Sequence, residues 1–159
     1  MNLFEEEIIS FLALLNKHDV RFILVGGLAV NYYGYSRSTG DVDLWLDDSA
    51  ENRAKLVGAL AEFGVQGGET FLTAPLIAGY SEVLLDNGIY VDLMSDLKMF
   101  KPGDFEECYR LAERYVVNER EAVPVLHINK LIQEKENSTR SKDVEDVVQL
   151  KKIVNKRKG

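Results

Sequence analysis

The sequence predicts an α+β domain: a small β-sheet with helices packed on it, followed by a C-terminal helical segment. Three observations lead there. Phe22-Ile23-Leu24-Val25 is a wholly apolar run of strand length, the pattern of a strand covered on both faces. Asp41 to Leu46 alternates, with Val42, Leu44 and Leu46 on one side and Asp41 and Asp43 on the other. Glu5 to Lys17 carries Ile8, Phe11, Leu12 and Leu15 at helical spacing.

The remaining elements follow in chain order. Gly26-Gly27 gives the first strand a tight exit, and Leu28 to Tyr33 then reads as a short helix closed by Gly34. Ser49 is placed to cap a helix over about residues 50–63, with Glu51 in its first turn favouring the helix dipole. Gly64 to Gly68 reads as a flexible loop. Glu82 to Asp86 and Ile89 to Met94 flank Asn87-Gly88, the signal of a two-residue hairpin turn in which both positions take positive φ. Asp104 is expected to cap a helix to about Glu113, and Val123 to His127 reads as a further strand. A helix over 127–135, a break at Asn137-Ser138-Thr139 and a second helix from Arg140 to about Val154 complete the chain. Val144, Val147, Val148 and Leu150 form the expected inner side of that last helix.

Composition narrows the class. At 159 residues, 46% hydrophobic and 28% charged, the chain has the balance of one ordinary globular domain spanning its length. A net charge of −7 argues against broad electrostatic adhesion to nucleic acid. Lys151-Lys152 and Lys156-Arg157-Lys158 are the exception, read as a solvated, frayed tail. No run approaches the ~20 apolar residues of a membrane span. The start, Met1 to Glu7, is acidic where a secretory signal would be basic, and the lone Cys108 suits a reducing cytoplasm as a packed apolar side chain. His18 and His127 lack the spacing of a metal pair, and Tyr32-Tyr33-Tyr35 reads as packing, with one ring stacked on a base as the alternative.

The chemistry concentrates between Gly26 and Asp47. Backbone N–H groups and the positive dipole end of a helix starting at the glycines suit an anionic phosphate. Asp41 and Asp43, like charges on one face, repel each other unless a cation lies between them. Mg²⁺, which takes oxygen ligands and keeps positions for substrate phosphates, is the natural candidate, with Mn²⁺ as its substitute. Asp92 is a single acid in an apolar run, costly to bury unless something pairs with it. Alone, Asp-x-Asp is more often a solvated strand edge, Gly-Gly an ordinary turn, and Asp92 the solvent side of a hairpin.

The combination is more specific. Residues 24–47, with Gly26-Gly27, Arg37-Ser38-Thr39 and Asp41-Val42-Asp43, resemble the signature of the DNA polymerase β-like nucleotidyltransferase superfamily. Within it they are most similar to small bacterial proteins related to AbiEii-type toxins and minimal nucleotidyltransferases. The resemblance implies a small mixed-sheet palm with Asp92 as third acid beside Asp41 and Asp43, all three catalytic and metal-binding. Asp86 and Asp96 stand in reserve as turn and loop residues. It implies nucleotide binding at Gly26 and Gly27; the chain departs from the many members that carry a phosphate-binding Ser at the place of Gly27, so backbone N–H groups, or Arg37, Ser38 or Thr39 nearby, are expected to do that work. The pattern Lys135, Arg140, Lys142-Asp143, Asp146, Leu150 resembles the segment after the palm, whose basic residues (Lys135, Arg140 and Lys142) are expected to reach the triphosphate. The bland alternative is an amphipathic helix with an ion pair between Lys142 and Asp146. The resemblance covers 20–95 and 127–150 and leaves 96–126 unassigned.

The implied activity is metal-dependent transfer of a nucleoside monophosphate from a nucleoside triphosphate to an acceptor hydroxyl: a tRNA end, a protein hydroxyl or a small molecule such as an antibiotic. A toxin–antitoxin setting, with a protein partner or a second copy of the chain, is a further implication. The competing expectation is a non-catalytic or weakly active binding module in such a pair. A phosphohydrolase lacks the usual additional His or Asp cluster.

Overall fold

The computed structural model describes residues 4–119 and 121–158; Met1 to Leu3 of the acidic start lie outside them. Among these residues a six-stranded mixed sheet has the order β3-β4-β2-β1-β6-β5. Its strands are β1 Phe22–Val25, β2 Val42–Leu46, β3 Glu82–Leu84, β4 Tyr90–Met94, β5 Glu113–Val116 and β6 Ala122–Val125. The helices are α1 Glu6–Lys17, α2 Gly26–Tyr33, α3 Ala50–Phe63, α4 Phe105–Leu111, α5 Ile128–Glu136 and α6 Ser141–Lys158. The α+β class and mixed sheet expected from the sequence are thus observed.

Central β1 lies antiparallel to β2 and parallel to β6, and all four of its residues are buried. Helix α1 buries Ile8, Phe11, Leu12 and Leu15, the stripe that its spacing predicts. Ser49 caps α3 by accepting from the Asn52 N–H at 3.0 Å, and Gly64 ends that helix in the left-handed region. Asn52, itself buried, joins α3 to the sheet through the Arg21 N–H, the Arg21 carbonyl and the Asp47 carbonyl. Trp45 donates to the Ser95 carbonyl at 3.0 Å and packs edge-on against Phe105. Cys108 is buried, and burial pushes its thiol up.

Several expectations change. The hairpin turn has three residues: the Leu85 N–H bonds to the Ile89 carbonyl and the Gly88 N–H to the Leu85 carbonyl. Only Gly88 takes positive φ there, so the loop is a turn followed by a left-handed glycine, not a paired Asn-Gly turn. After Gly64 a short 3-10 turn, Gly68–Leu72, is pinned by Arg53, which donates to the Phe71 and Ala74 carbonyls. Asp104 does not cap α4; its carboxylate accepts from the Lys101 N–H of the preceding turn. Helix α4 ends at Leu111, and Glu113 belongs to β5, because pairing with β6 (Glu113 opposite Val125) overrides local helical preference.

The C-terminal residues expected as a frayed tail are the last turns of α6, where Arg157 binds Glu113 at 3.1 Å and covers the Tyr33 ring. The tyrosines do pack: Tyr33 donates to the Leu126 carbonyl at 2.6 Å and meets Tyr32 edge-on. His127 caps α5, accepting from the Asn129 N–H. Among the described residues, no helix is long and apolar enough to cross a membrane.

Candidate active site

Strand register gathers the acids. In the parallel pairing of β2 and β4, Asp43 stands opposite Asp92, so both side chains leave the same face of the sheet. Asp41 precedes Asp43 by two residues at the mouth of β2 and is exposed. On its other side, Asp43 is paired with Val25, the residue before Gly26. Gly26 has φ +72°, and a Cβ there would overlap the Asp43 carboxylate. A Cβ at Gly27 would overlap the Thr39 side chain and come within 3.3 Å of Arg37 Nη1. The glycine pair therefore does more than turn the chain. It lets an acid and a hydroxyl–guanidinium pair press against the start of α2, whose first N–H groups have no intrahelical acceptor.

Burial, then the Asp92 and Asp41 charges, push the Asp43 carboxyl up to about 6, with Lys135 and Arg37 opposing. Asp92 is also raised, chiefly by burial, against a contact from Gly79. Both its oxygens accept from the Gly79 N–H, at 3.0 and 2.9 Å. Asp43 and Asp92, with Gly26, Lys135, Arg140 and Lys98, line a cavity of about 210 Å³. Asp41, Arg37 and Thr39 line a neighbouring one of about 240 Å³. Among the described residues, no three His, Cys, Asp or Glu side chains are gathered closely enough to hold an ion as they stand.

A buried ionic network closes this cavity on the α5–α6 side. Asp146, fully buried, accepts from Arg37 Nε at 2.7 Å and Nη2 at 2.9 Å, and pairs with Lys135 Nζ at 2.9 Å. Lys135 also binds Asp143 at 3.0 Å, and Ser138 donates to the other Asp143 oxygen at 2.7 Å. Burial alone would raise the Asp143 carboxyl; the Ser138 and Lys135 hydrogen bonds and the Lys135 and Arg140 charges outweigh it and hold it low. This pairing corrects the expected inner side of α6. Its buried residues are Asp143, Asp146 and Leu150, whereas Val144 is 50% and Val148 43% exposed. Ion pairing with Arg37 and Lys135 turns the two acids inward and leaves Val144 and Val148 facing out, while Val147, partly buried against the core, and Leu150 keep their expected inner places.

The structure thus brings Gly26, Gly27, Arg37, Thr39, Asp41, Asp43, Asp92, Lys135 and Arg140 to one end of the sheet. Ser38 is exposed and offers its carbonyl to Arg37 Nη1. Lys142 is exposed, does not line the cavity beside Asp43, and leaves Asp146 to Arg37 and Lys135. Asp86 sits in the hairpin turn and Asp96 pairs loosely with Lys101, as their reserve status anticipated. Sequence reasoning missed Gly79, Lys98 and Glu134. The Glu134 carboxylate accepts from the Lys98 and Met99 N–H groups, fixing the loop after β4 against α5. No sequence signal marked Gly79 or Lys98.

Residues 4–159 match the model of a family described as "Nucleotidyl transferase of unknown function (DUF2204)". The chain belongs to this family. The superfamily expected from residues 24–47, the DNA polymerase β-like nucleotidyltransferases, agrees with it. No curated protein matches. Among solved structures, the chain is similar to the lincosamide antibiotic adenylyltransferase LnuA in its lincomycin-bound form. There the TM-score is 0.60 and identity 17%, over 96% of this chain and 99% of the other. It is also similar to ANT(2")-Ia in complex with adenylyl-2"-tobramycin, with a TM-score of 0.57, 14% identity and coverage of 95% and 89%. A Thermotoga maritima protein assigned as a nucleotidyltransferase has a TM-score of 0.53 and 19% identity, over 94% and 91% of the two chains. At these identities the likeness establishes the shared fold.

Proposed function

We propose that this nucleotidyltransferase moves a nucleoside monophosphate from a nucleoside triphosphate to an acceptor hydroxyl, with Asp41, Asp43 and Asp92 holding Mg²⁺ or Mn²⁺. The observation that carries this reading is the pairing of Asp43 with Asp92 across neighbouring strands, beside the helix start at Gly26-Gly27.

The donor set fits such an ion. Carboxylate oxygens suit hard divalent cations, and the Asp43 carboxyl is raised by its burial and then by the nearby Asp92 and Asp41 charges, both of which a bound cation would offset. Asp92 joins the set once it leaves the Gly79 N–H. A bound divalent cation would supply charge neutralisation at the phosphates and acidify the acceptor hydroxyl.

The chain's own residues do the rest. The N–H groups at the start of α2 receive phosphate oxygens. Of the five N–H donors of a guanidinium, Arg37 spends three on Asp146 and Ser38, leaving two for phosphate. Lys135 spends two of its three on Asp143 and Asp146, leaving one. Arg140, on the cavity wall, adds a further cation. Asp92 takes the hydroxyl proton as the acceptor oxygen bonds to the α-phosphorus. The α–β bridging bond breaks, and pyrophosphate leaves with its electron pair.

A small hydroxylated molecule stands first among acceptor classes, ahead of a tRNA end or a protein hydroxyl. Two similar structures hold lincomycin and adenylyl-tobramycin, and the net charge of −7 disfavours RNA. The test is incubation with Mg²⁺ or Mn²⁺, each α-labelled triphosphate in turn, and a cell extract split into RNA, protein and metabolite fractions. Label is expected in the metabolite fraction and absent with Asp41→Ala. Transfer unchanged in Asp41→Ala overturns the assignment. A wild-type protein that labels nothing but retains a protein partner favours the binding-module reading, with its toxin–antitoxin setting.

A further inference from the structure

We infer that Asp146 is a positioning residue for the triphosphate, an inference that rests on the transfer reading above. Among the described residues, its carboxylate is the one that touches both Arg37 and Lys135, the cations whose charges act on Asp43. It grips Arg37 in a two-pronged bond of 2.7 and 2.9 Å and holds Lys135 at 2.9 Å. Those cations come from distant segments, the connection between α2 and β2 and the helix α5, and Asp146 comes from α6. Each cation faces a different part of the site. Arg37 Nη1 lies 3.3 Å from where a Gly27 Cβ would stand, against the start of α2. Lys135 lines the cavity with Asp43 and Asp92. One carboxylate therefore sets the spacing between the phosphate-facing guanidinium and the ammonium beside the acids.

Charge and burial support positioning over simple packing. Asp146 is 0% exposed, and an ionised group so placed is tolerated only with close partners. Arg37, Lys135, Asp143 and Asp146 together carry no net charge, so the network adds little field of its own. It supplies geometry: a planar fork fixed by two parallel bonds cannot swing, and its unused N–H groups keep one direction. Without Asp146, Lys135 would stay with Asp143 while Arg37 would be free to collapse onto Asp41 in its own cavity.

The test measures equilibrium binding of the triphosphate that wild type prefers, and of the corresponding monophosphate, to wild type, Asp146→Asn, Arg37→Gln and the double variant. The expected result is about ten- to a hundredfold weaker triphosphate binding in each single variant. Monophosphate binding should change less than about threefold, and the double variant should be no worse than the weaker single, as for residues acting as one unit. Folded Asp146→Asn that binds triphosphate within about twofold of wild type overturns the inference, as does equal loss of triphosphate and monophosphate. Should Asp146→Asn fail to fold, Arg37→Lys keeps the charge and loses the fork; unchanged triphosphate affinity there overturns it equally. Wild type that binds none of the four triphosphates sinks the transfer reading and this inference together, whereas normal wild-type binding with an unaffected variant sinks only the latter.

Discussion

The aspartates of α6 are no less buried than those of the sheet, yet the chain treats the two groups in opposite ways. Asp143 and Asp146 each find a cation within about 3 Å, and Asp143 stays ionised below its usual range. Asp43 and Asp92 face one another with only a backbone N–H and more distant cations to offset them, and both are pushed up. Paired acids hold other side chains still. Unpaired acids keep an affinity for positive charge that folding has not used.

The largest expected effect breaks this contrast at its unpaired end. Asp43→Asn removes the central acid while keeping its shape, and transfer should fall at least about 10³-fold, roughly 4 kcal/mol of barrier. A variant that still labels acceptor within tenfold of wild type would leave Asp43 outside the chemistry. At the paired end, Lys135→Met takes from two buried carboxylates the ammonium they share, leaving Asp146 to Arg37 and Asp143 to Ser138. Such a loss costs about 3–5 kcal/mol, read as the shift in urea-unfolding free energy. A change under about 1 kcal/mol would mean that solvent reaches this network despite its burial.

A third effect has the opposite sign. The folded Asp43 carboxyl, at about 6, lies above its unfolded value of about 3.9, so the native state holds the proton more tightly. Stability from this group is greatest below about pH 4 and declines as pH rises through about 6, by about 2–3 kcal/mol at most. Asp43→Asn should lack that decline and be the more stable protein at pH 7.5, though inactive. Mg²⁺ should raise the thermal midpoint of wild type at that pH and leave the variant unmoved, since a ligand stabilises only the state that binds it. Equal midpoints with and without Mg²⁺ would count against metal binding at this site.

What the sequence could reveal divides along the same line. Like charges at strand spacing are a local pattern, so Asp41 and Asp43 stood out, as did the apolar stripe of α1 and the Ser49 cap. The partners of Asp146 lie 109 and 11 positions away, and no local pattern encodes them. Strand β5 was hidden for a similar reason: Glu113-Arg114-Tyr115-Val116 becomes extended only against β6. Asp92 fell between these cases. Its strand was legible, but its alignment with Asp43 depends on a parallel register that two distant segments settle together, and its bond to Gly79 follows from a loop with no sequence signal.

Helix α6 offers the smallest and most discriminating check, because there the hydrophobic pattern holds for Val147 and Leu150 but not for Val144 and Val148. Valines at 144, 147 and 148 would ordinarily mark the buried stripe, with Asp143 and Asp146 in solvent. In the structure the ion pairs turn Asp143 and Asp146 inward, leaving Val144 and Val148 outside and Val147 only partly buried. Replacing both with Gln should therefore shift unfolding free energy by no more than about 0.5 kcal/mol, as for surface positions. Leu150→Ala on the inner face should cost about 2–5 kcal/mol. If the double valine variant were the more damaging one, α6 would be turned the other way. Asp146 could not then reach Arg37, and the ionic side of the comparison would fail with it.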